Sequence, residues 1–341
     1  MEISLVRDPD SFSALAGEWN RLLSRSVTDV PFLRHEFLKT WWSTRGGGEW
    51  REAELRISVA RDPDGGLLGL APLFRTRTLD DRPGLMLLGS IEISDYLDLV
   101  APHDVLGPFV QDLLTNLDRD PPADWEVLDL YNIMETSPTL EALRSAVLHK
   151  GWTVSQTRYK PCPVAILPED WETYLTSLEK KQRHELRRKM RRAETSPEGV
   201  GWRIIGPGQD IERAVDEFLK HMALDERKQA FLSEVMQTQI RQSALTAFEH
   251  GWLQLALLEI GGEPAAGYLN FDYNDRLWVY NSFANPKFLA LSPGWVLLGH
   301  VIRWAIEHKR RELDFLRGDE QYKYQLGGRD RYVCRMTIER R

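Results

Sequence analysis

Residues 252–283 read WLQLALLEI-GG-EPAAGYLNFDY-ND-RLWVYNSF, and this stretch decides the fold. Apolar runs at 252–260, 265–273 and 277–283 predict three strands. Gly261-Gly262 and Asn274-Asp275 separate them, and both dipeptides tolerate the positive φ that a two-residue hairpin needs. Strands joined by so little chain pair antiparallel, so the three form a meander. Downstream, Ser292-Pro293-Gly294 supplies a capping hydroxyl and a proline at the first helical position. The helix it opens, 294–309, is apolar nearly all round and is expected to be buried. A strand at 312–316 follows at crossover distance and should pair in parallel. A last strand is read at 332–338.

The N-terminal half repeats this order. Strands at 55–60 and 67–74 flank Asp64-Gly65-Gly66. A third strand is read at 96–100, a helix at 105–117, a strand at 126–131, a helix at 138–149 and a strand at 152–157. Written without gaps, Leu55 falls on Leu253 and Gly69 on Gly267 at one common shift. Leu128-Asp129-Leu130 resembles Leu313-Asp314-Phe315. Matched order over five elements reads as a degenerate duplication. Pro161, Pro163 and Pro168 mark 159–169 as the linker, giving domains 1–160 and 161–341. The fold class is α/β with a mixed sheet.

Composition bounds the function. The chain has 341 residues, 42% hydrophobic and 28% charged, which suits two globular cores rather than a disordered chain. A formal charge of −7 argues against a surface that grips nucleic acid everywhere. Cys162 and Cys334 stand in no metal or redox spacing and fit a reducing compartment. Residues 1–11 carry early charges and no apolar core, unlike a signal peptide. The most apolar helix is broken by His300 and Arg303 and is too short to span a bilayer. These features lead to the expectation of a cytoplasmic protein. No P-loop, dinucleotide fingerprint or nucleophile elbow is present.

One segment runs against the acidic average. Residues 178–195 hold eight Lys/Arg against three Glu. At helical phase Lys180, His184, Arg187 and Arg191 share a face, with Lys181, Arg188 and Arg192 beside it, while Leu186, Met190 and Ala193 line the other. This is an amphipathic helix whose cationic face suits a phosphate-bearing partner or acids elsewhere in the chain. His221 and Asp225 lack a third ligand, so no metal site is read.

Three stretches carry a family likeness: the serine-then-basic run from Ser177 to Arg188, Leu291-Ser292-Pro293-Gly294, and the run from Asp314-Phe315 through Gly318-Asp319 to Tyr322-Lys323. With the meander, buried helix and parallel strand, they resemble Gcn5-related acetyltransferases (GNAT), in the tandem form of the CelD/BcsL-like and FemABX-like acyltransferases. The resemblance implies two GNAT-like domains, the first degenerate and free of coenzyme. It implies transfer of an acetyl or other acyl group from acetyl-CoA or another acyl-CoA to an amine or hydroxyl of a small molecule or saccharide, without a metal. The alternatives are a FemABX-type transferase using aminoacyl-tRNA and a non-catalytic GNAT-fold binding protein. Under this reading Asp319 is the base, Tyr322 or Tyr324 the acid and Lys323 an anion stabiliser. Lys287, Ser292 and Gly294 surround the helix start where a GNAT coenzyme's pyrophosphate sits. Arg183, Arg187, Asp272 and Asn281 are candidate substrate contacts. Arg183, Arg187, Asp319, Tyr322 and Lys323 are expected to line one groove where the halves meet.

Overall fold

The computed structural model describes residues 1–119 and 125–340, and it is mixed α/β throughout. The chain divides into two compact units, Met1–Lys160 with Tyr332–Arg341, and Pro161–Arg331. The returning terminal strand is therefore part of the first unit and not, as its position in the chain suggested, of the second.

In the first unit β1 (Glu2–Val6) precedes α1 (Pro9–Ala14), α2 (Ala16–Leu23) and α3 (His35–Gly48). The meander is β2 (Glu54–Arg61), β3 (Leu67–Arg77) and β4 (Pro83–Leu87), followed by α4 (His103–Arg119) and β5 (Val127–Met134). The unit continues with α5 (Pro138–Lys150) and β6 (Thr153–Ile166), whose part from Pro161 onward belongs to the second unit.

The third strand thus lies at Pro83–Leu87, where it pairs with β3 and, in parallel, with β5 through Gly84–Val127 and Leu85–Leu128. The stretch expected there, 96–100, is not a strand. Only Val100 bridges to Leu70, and buried Asp98 takes hydrogen bonds from Thr28 Oγ1 at 2.5 Å, Ser137 Oγ at 2.6 Å and the Leu99 amide at 2.8 Å. Apolar residues occur there because the coil is buried, not because it is pleated. The expected linker is also different, since β6 runs through Pro161 and Pro163 to Ile166. A proline costs a strand only its missing donor. The Pro161 and Pro163 carbonyls accept from Gly318 and Phe315 at 3.0 Å each, and acceptance is all those positions are asked to do.

The second unit carries α6 (Trp171–Ser177), α7 (Lys180–Glu194), β7 (Val200–Ile204), α8 (Ile211–Met222), α9 (Glu226–Phe231) and α10 (Glu234–Glu249). Its meander is β8 (Leu253–Ile260), β9 (Glu263–Tyr273) and β10 (Arg276–Ala284). Then come α11 (Pro293–Glu307), β11 (Glu312–Asp314) and α12 (Gln321–Gln325), before β12 (Arg329–Glu339). Both hairpins turn on positive φ, at Gly261 and Gly262 and at Asn274 and Asp275, as the dipeptides dictate. The sheet order is β6-β11-β10-β9-β8-β7 here and β1-β2-β3-β4-β5-β12 in the first unit. Each unit therefore has an antiparallel meander whose third strand takes a parallel partner after a helix.

The repeated glycine has one physical reason in both halves. A Cβ on Gly69 would stand 2.8 Å from Phe109, and one on Gly267 2.3 Å from Phe283, so an aromatic ring closes over each. In the second unit α7 lays Leu186, Met190 and Ala193 into the core beside α11. Met190 Sδ would come within 3.0 Å of a Cβ on Gly299, which sets how closely these helices approach. The apolar stripe of α7 thus packs on the domain and its cations are left outside.

Candidate active site in the second unit

The site begins where two parallel strands part. β10 and β11 pair only through Arg276–Glu312, Leu277–Leu313 and Trp278–Asp314. The register of β10 then shifts between Val279 and Asn281, and β10 runs on to Ala284 without β11 beside it. After Asp314 the chain turns away through Leu316 and Gly318, both at positive φ. A bulge of this kind bends a strand and ends its pairing, which opens a gap at the strand ends. A cavity of about 240 Å³ lies there, lined by Tyr268, Ser282, Phe283 and Gly294, with His221 and Lys228 arriving from the helices. Gly294 is thus placed at the cavity as the start of α11. Asn281 stands half-buried at the bulge.

Lys228 is the charged group of this cavity, and nothing in its local sequence, Glu226-Arg-Lys-Gln, singles it out. Asp225 caps α9 by accepting from the Arg227 and Lys228 amides at 3.0 and 3.3 Å. The lysine then reaches β10, donating to the Ser282 carbonyl at 2.5 Å and approaching Ser282 Oγ at 3.4 Å. Burial pulls its ammonium below the usual lysine value, and Asp225 only partly opposes that.

Two tyrosines border the same region. The Tyr322 ring meets Phe315 edge to face at 6.2 Å, and burial followed by Glu320 pushes its hydroxyl far up. Tyr268 donates to the Gly294 carbonyl at 3.3 Å, and burial and then Tyr322 raise it likewise. Both hydroxyls are therefore proton donors across neutral pH. Asp319 is exposed beside Gly318.

Several sequence-derived candidates are engaged elsewhere. Lys323 is only 2% exposed, and its ammonium donates to the carbonyls of Leu316, Arg317 and Gly318 at 3.1, 2.7 and 3.3 Å. It also pairs with Glu320 at 3.0 Å, so it holds the turn after β11 and does not face a ligand. Lys287 pairs with Glu263 at 2.6 Å in solvent. Ser292 takes the left-handed conformation at the N-cap, and its side chain caps no amide. Asp272 is bound through both oxygens to Arg310, at 2.5 and 2.7 Å. Arg183 donates to the Thr176 carbonyl at 3.4 Å, and Arg187 pairs with Glu172 on the exposed side of α7. The expected grouping of Arg187 with Lys323 is not formed, because one points to solvent and the other inward. The two segments do meet, through other residues: Ser177, Gln182, Gln321 and Tyr324 line a second concavity of about 700 Å³.

The cationic face of α7 is only partly balanced. Arg187 pairs with Glu172, while Arg188 and Lys189 share Glu185. Lys180, Lys181, Arg183, Arg191 and Arg192 have no carboxylate partner among the described residues. Lys189 also lies over the Trp295 ring at 4.5 Å, which ties the helix to the first turn of α11. Among the described residues no group of three His, Cys, Asp or Glu could hold a metal ion, and no helix is long and apolar enough to cross a membrane.

Residues 180–324 match the family model described as Acetyltransferase (GNAT) domain, and this match falls inside the second unit. No curated protein sequence matches the chain. Among solved structures the chain is similar to FemX, at 10% identity over 98% of this chain and 97% of that one, with a TM-score of 0.68. It is also similar to L-PGS from Bacillus licheniformis, at 13% identity over 100% and 94% with a TM-score of 0.56. A third is the C-terminal domain of a putative lysylphosphatidylglycerol synthetase from Agrobacterium fabrum, at 10% identity over 96% and 92% with a TM-score of 0.58. At such identities these likenesses speak for the fold, and the domain match speaks for the family. The chain therefore carries an acetyltransferase (GNAT) domain over residues 180–324, the domain of an acyltransferase, and shares the fold of FemX.

Proposed function

We propose that the second unit moves an acyl group from acyl-CoA onto an amine or hydroxyl of a small-molecule or saccharide acceptor. The observation that carries this reading is the cavity where β10 outruns β11 beside the start of α11. The unpaired length of β10 offers main-chain groups to an extended donor arm. The amides at the head of α11 suit the donor's pyrophosphate. In the reaction the acceptor nitrogen attacks the thioester carbonyl, a C–N bond forms and the C–S bond breaks. Asp319 takes the acceptor's proton, and the Tyr322 hydroxyl protonates the departing sulfur. Lys323 holds the turn that carries both. The first unit has no counterpart of Gly318-Asp319 or of Tyr322, since Leu130 is followed by Tyr131-Asn132-Ile133-Met134, so it binds no coenzyme. Titration of the full chain with acetyl-CoA and with free coenzyme A tests the reading: both bind, and absence of binding by either at millimolar ligand removes it.

A second reading, in which the acyl group is an amino acid carried by tRNA, is favoured by the unbalanced cations of α7. A structural neighbour named for lysylphosphatidylglycerol, a lysine-bearing product, points the same way. The acidic remainder of the chain places this reading second. If it holds, tRNA affinity falls with salt at a log–log slope of about −3 to −5, as expected for a few neutralised phosphates. Reversing Lys180, Arg183, Arg191 and Arg192 to Glu then abolishes binding. Salt-independent binding, or none, excludes the tRNA donor.

A further inference from the structure

The cavity beside β10 contains an ammonium that no carboxylate of the described residues contacts directly. The Lys228 ammonium is half-buried, and among the described residues no carboxylate oxygen is in ion-pair contact with it. Asp225 directs its oxygen to the α9 amides at 3.0 and 3.3 Å. Glu320 acts on Lys228 only at a distance, because its own partner is Lys323 at 3.0 Å. What Lys228 touches is Ser282, through a carbonyl at 2.5 Å that offers a dipole and no charge. Withdrawing an ammonium from water without an anion is unfavourable, and proteins that do so generally keep the place for one. The rest of the wall offers Met222, Phe283 and Leu289 beside His221 and Asp225, and Asp225 is held by the α9 amides, so Lys228 is the cation an entering anion meets.

We infer that this cavity binds a carboxylate of the acceptor, with Lys228 as its counter-ion, so that the acceptor is an amino compound that is also a carboxylic acid, of the amino-acid type. The inference rests on the acyltransferase reading and narrows its substrate class. One lysine and no arginine fork match a compact monoanion better than a phosphate, which calls for several donors. The position is also right for chemistry. Glu320 is near enough to influence both Lys228 and Tyr322, and Tyr268, which lines the cavity, is influenced by Tyr322.

The test is calorimetry on the full chain with a fixed series of amino acids and, for each, its carboxamide, which keeps the amine and removes the charge. At least one acid binds about tenfold to a hundredfold more tightly than its amide, the margin of a charge-assisted hydrogen bond. Lys228→Met removes that margin and leaves amide binding in place, while Lys228→Arg keeps part of it. Circular dichroism checks that the variants are folded. If no member binds, if acid and amide bind alike, or if Lys228→Met leaves the preference intact, the inference is overturned. Coenzyme A titrated into the same samples separates the two claims. Coenzyme binding without an acid preference ends the carboxylate subsite alone, whereas wild-type protein that binds no coenzyme ends the donor reading.

Discussion

Tyr322→Phe lowers kcat for acyl transfer about a hundredfold or more, the range of a positioned general acid. The substitution removes one hydroxyl and keeps the ring, so the edge-to-face contact with Phe315 at 6.2 Å and the fold around it persist. KM for the donor therefore moves little, and the loss appears in kcat, as it does for an interaction made only in the transition state. Burial and Glu320 hold the hydroxyl above the ordinary tyrosine value of 10.0. Wild-type activity consequently shows no tyrosine-type decline on the alkaline side below that pH. Steady-state release of free thiol, followed against pH for both proteins, measures each point. A Tyr322→Phe enzyme within about threefold of wild type would assign leaving-group protonation to another donor.

Lys323→Met destabilises the protein by about 2–4 kcal/mol, because the carbonyls it serves lose their donor while staying inside. The Lys323 side chain is 3% exposed, and its ammonium bonds the Leu316, Arg317 and Gly318 carbonyls together at the turn that leaves β11. Methionine fills the volume but donates nothing, so the turn must either open to water or keep unsatisfied acceptors. Glu320→Gln is the control. Its carboxylate is 58% exposed, and loss of so open an ion pair costs under about 1 kcal/mol. Urea unfolding followed by circular dichroism compares the two. Equal, small losses would mean that the Lys323–Glu320 pair, and not the carbonyl clamp, is what Lys323 contributes.

The elements that could be read from sequence are those whose residue types are demanded by backbone geometry. Gly261-Gly262 and Asn274-Asp275 marked both hairpins because both take positive φ, and Pro293 marked the first turn of α11 because only there is its missing donor harmless. The same rules misplaced the third strand of the first unit. The strand that pairs with β3 starts at Pro83-Gly84, whereas 96–100 is apolar like a strand and is buried coil. Pro161 and Pro163 looked like a linker and lie in β6, because a strand that only accepts at those positions tolerates them.

Side-chain roles were less legible, since a charge in a sequence carries no direction. Lys323 has the sign of an anion site, yet its ammonium turns back on its own loop. Lys287 and Asp272 have the right neighbourhood in the chain, yet each is tied to a counter-ion, Glu263 and Arg310. Lys228 sits in a run of polar residues indistinguishable from a solvent-exposed helix, and only its contact with Ser282 across the fold reveals it. Gly294 lines the cavity at the end of β10, and the segment from Asp314 to Lys323 leaves β11. Which atoms face the opening depends on where β10 and β11 part, and the bulge after Val279 has no sequence mark of its own.

The central claim, that the parting of β10 and β11 beside α11 is an acyl-CoA site, is tested most directly by calorimetric titration of the full chain with acetyl-CoA and coenzyme A. The account predicts one molecule bound per chain for each ligand, with binding weakened about tenfold or more by Gly294→Asp, which sets a carboxylate against the donor's phosphates at the head of α11. No heat of binding with either ligand at millimolar concentration, or identical affinity in wild type and Gly294→Asp, would contradict it.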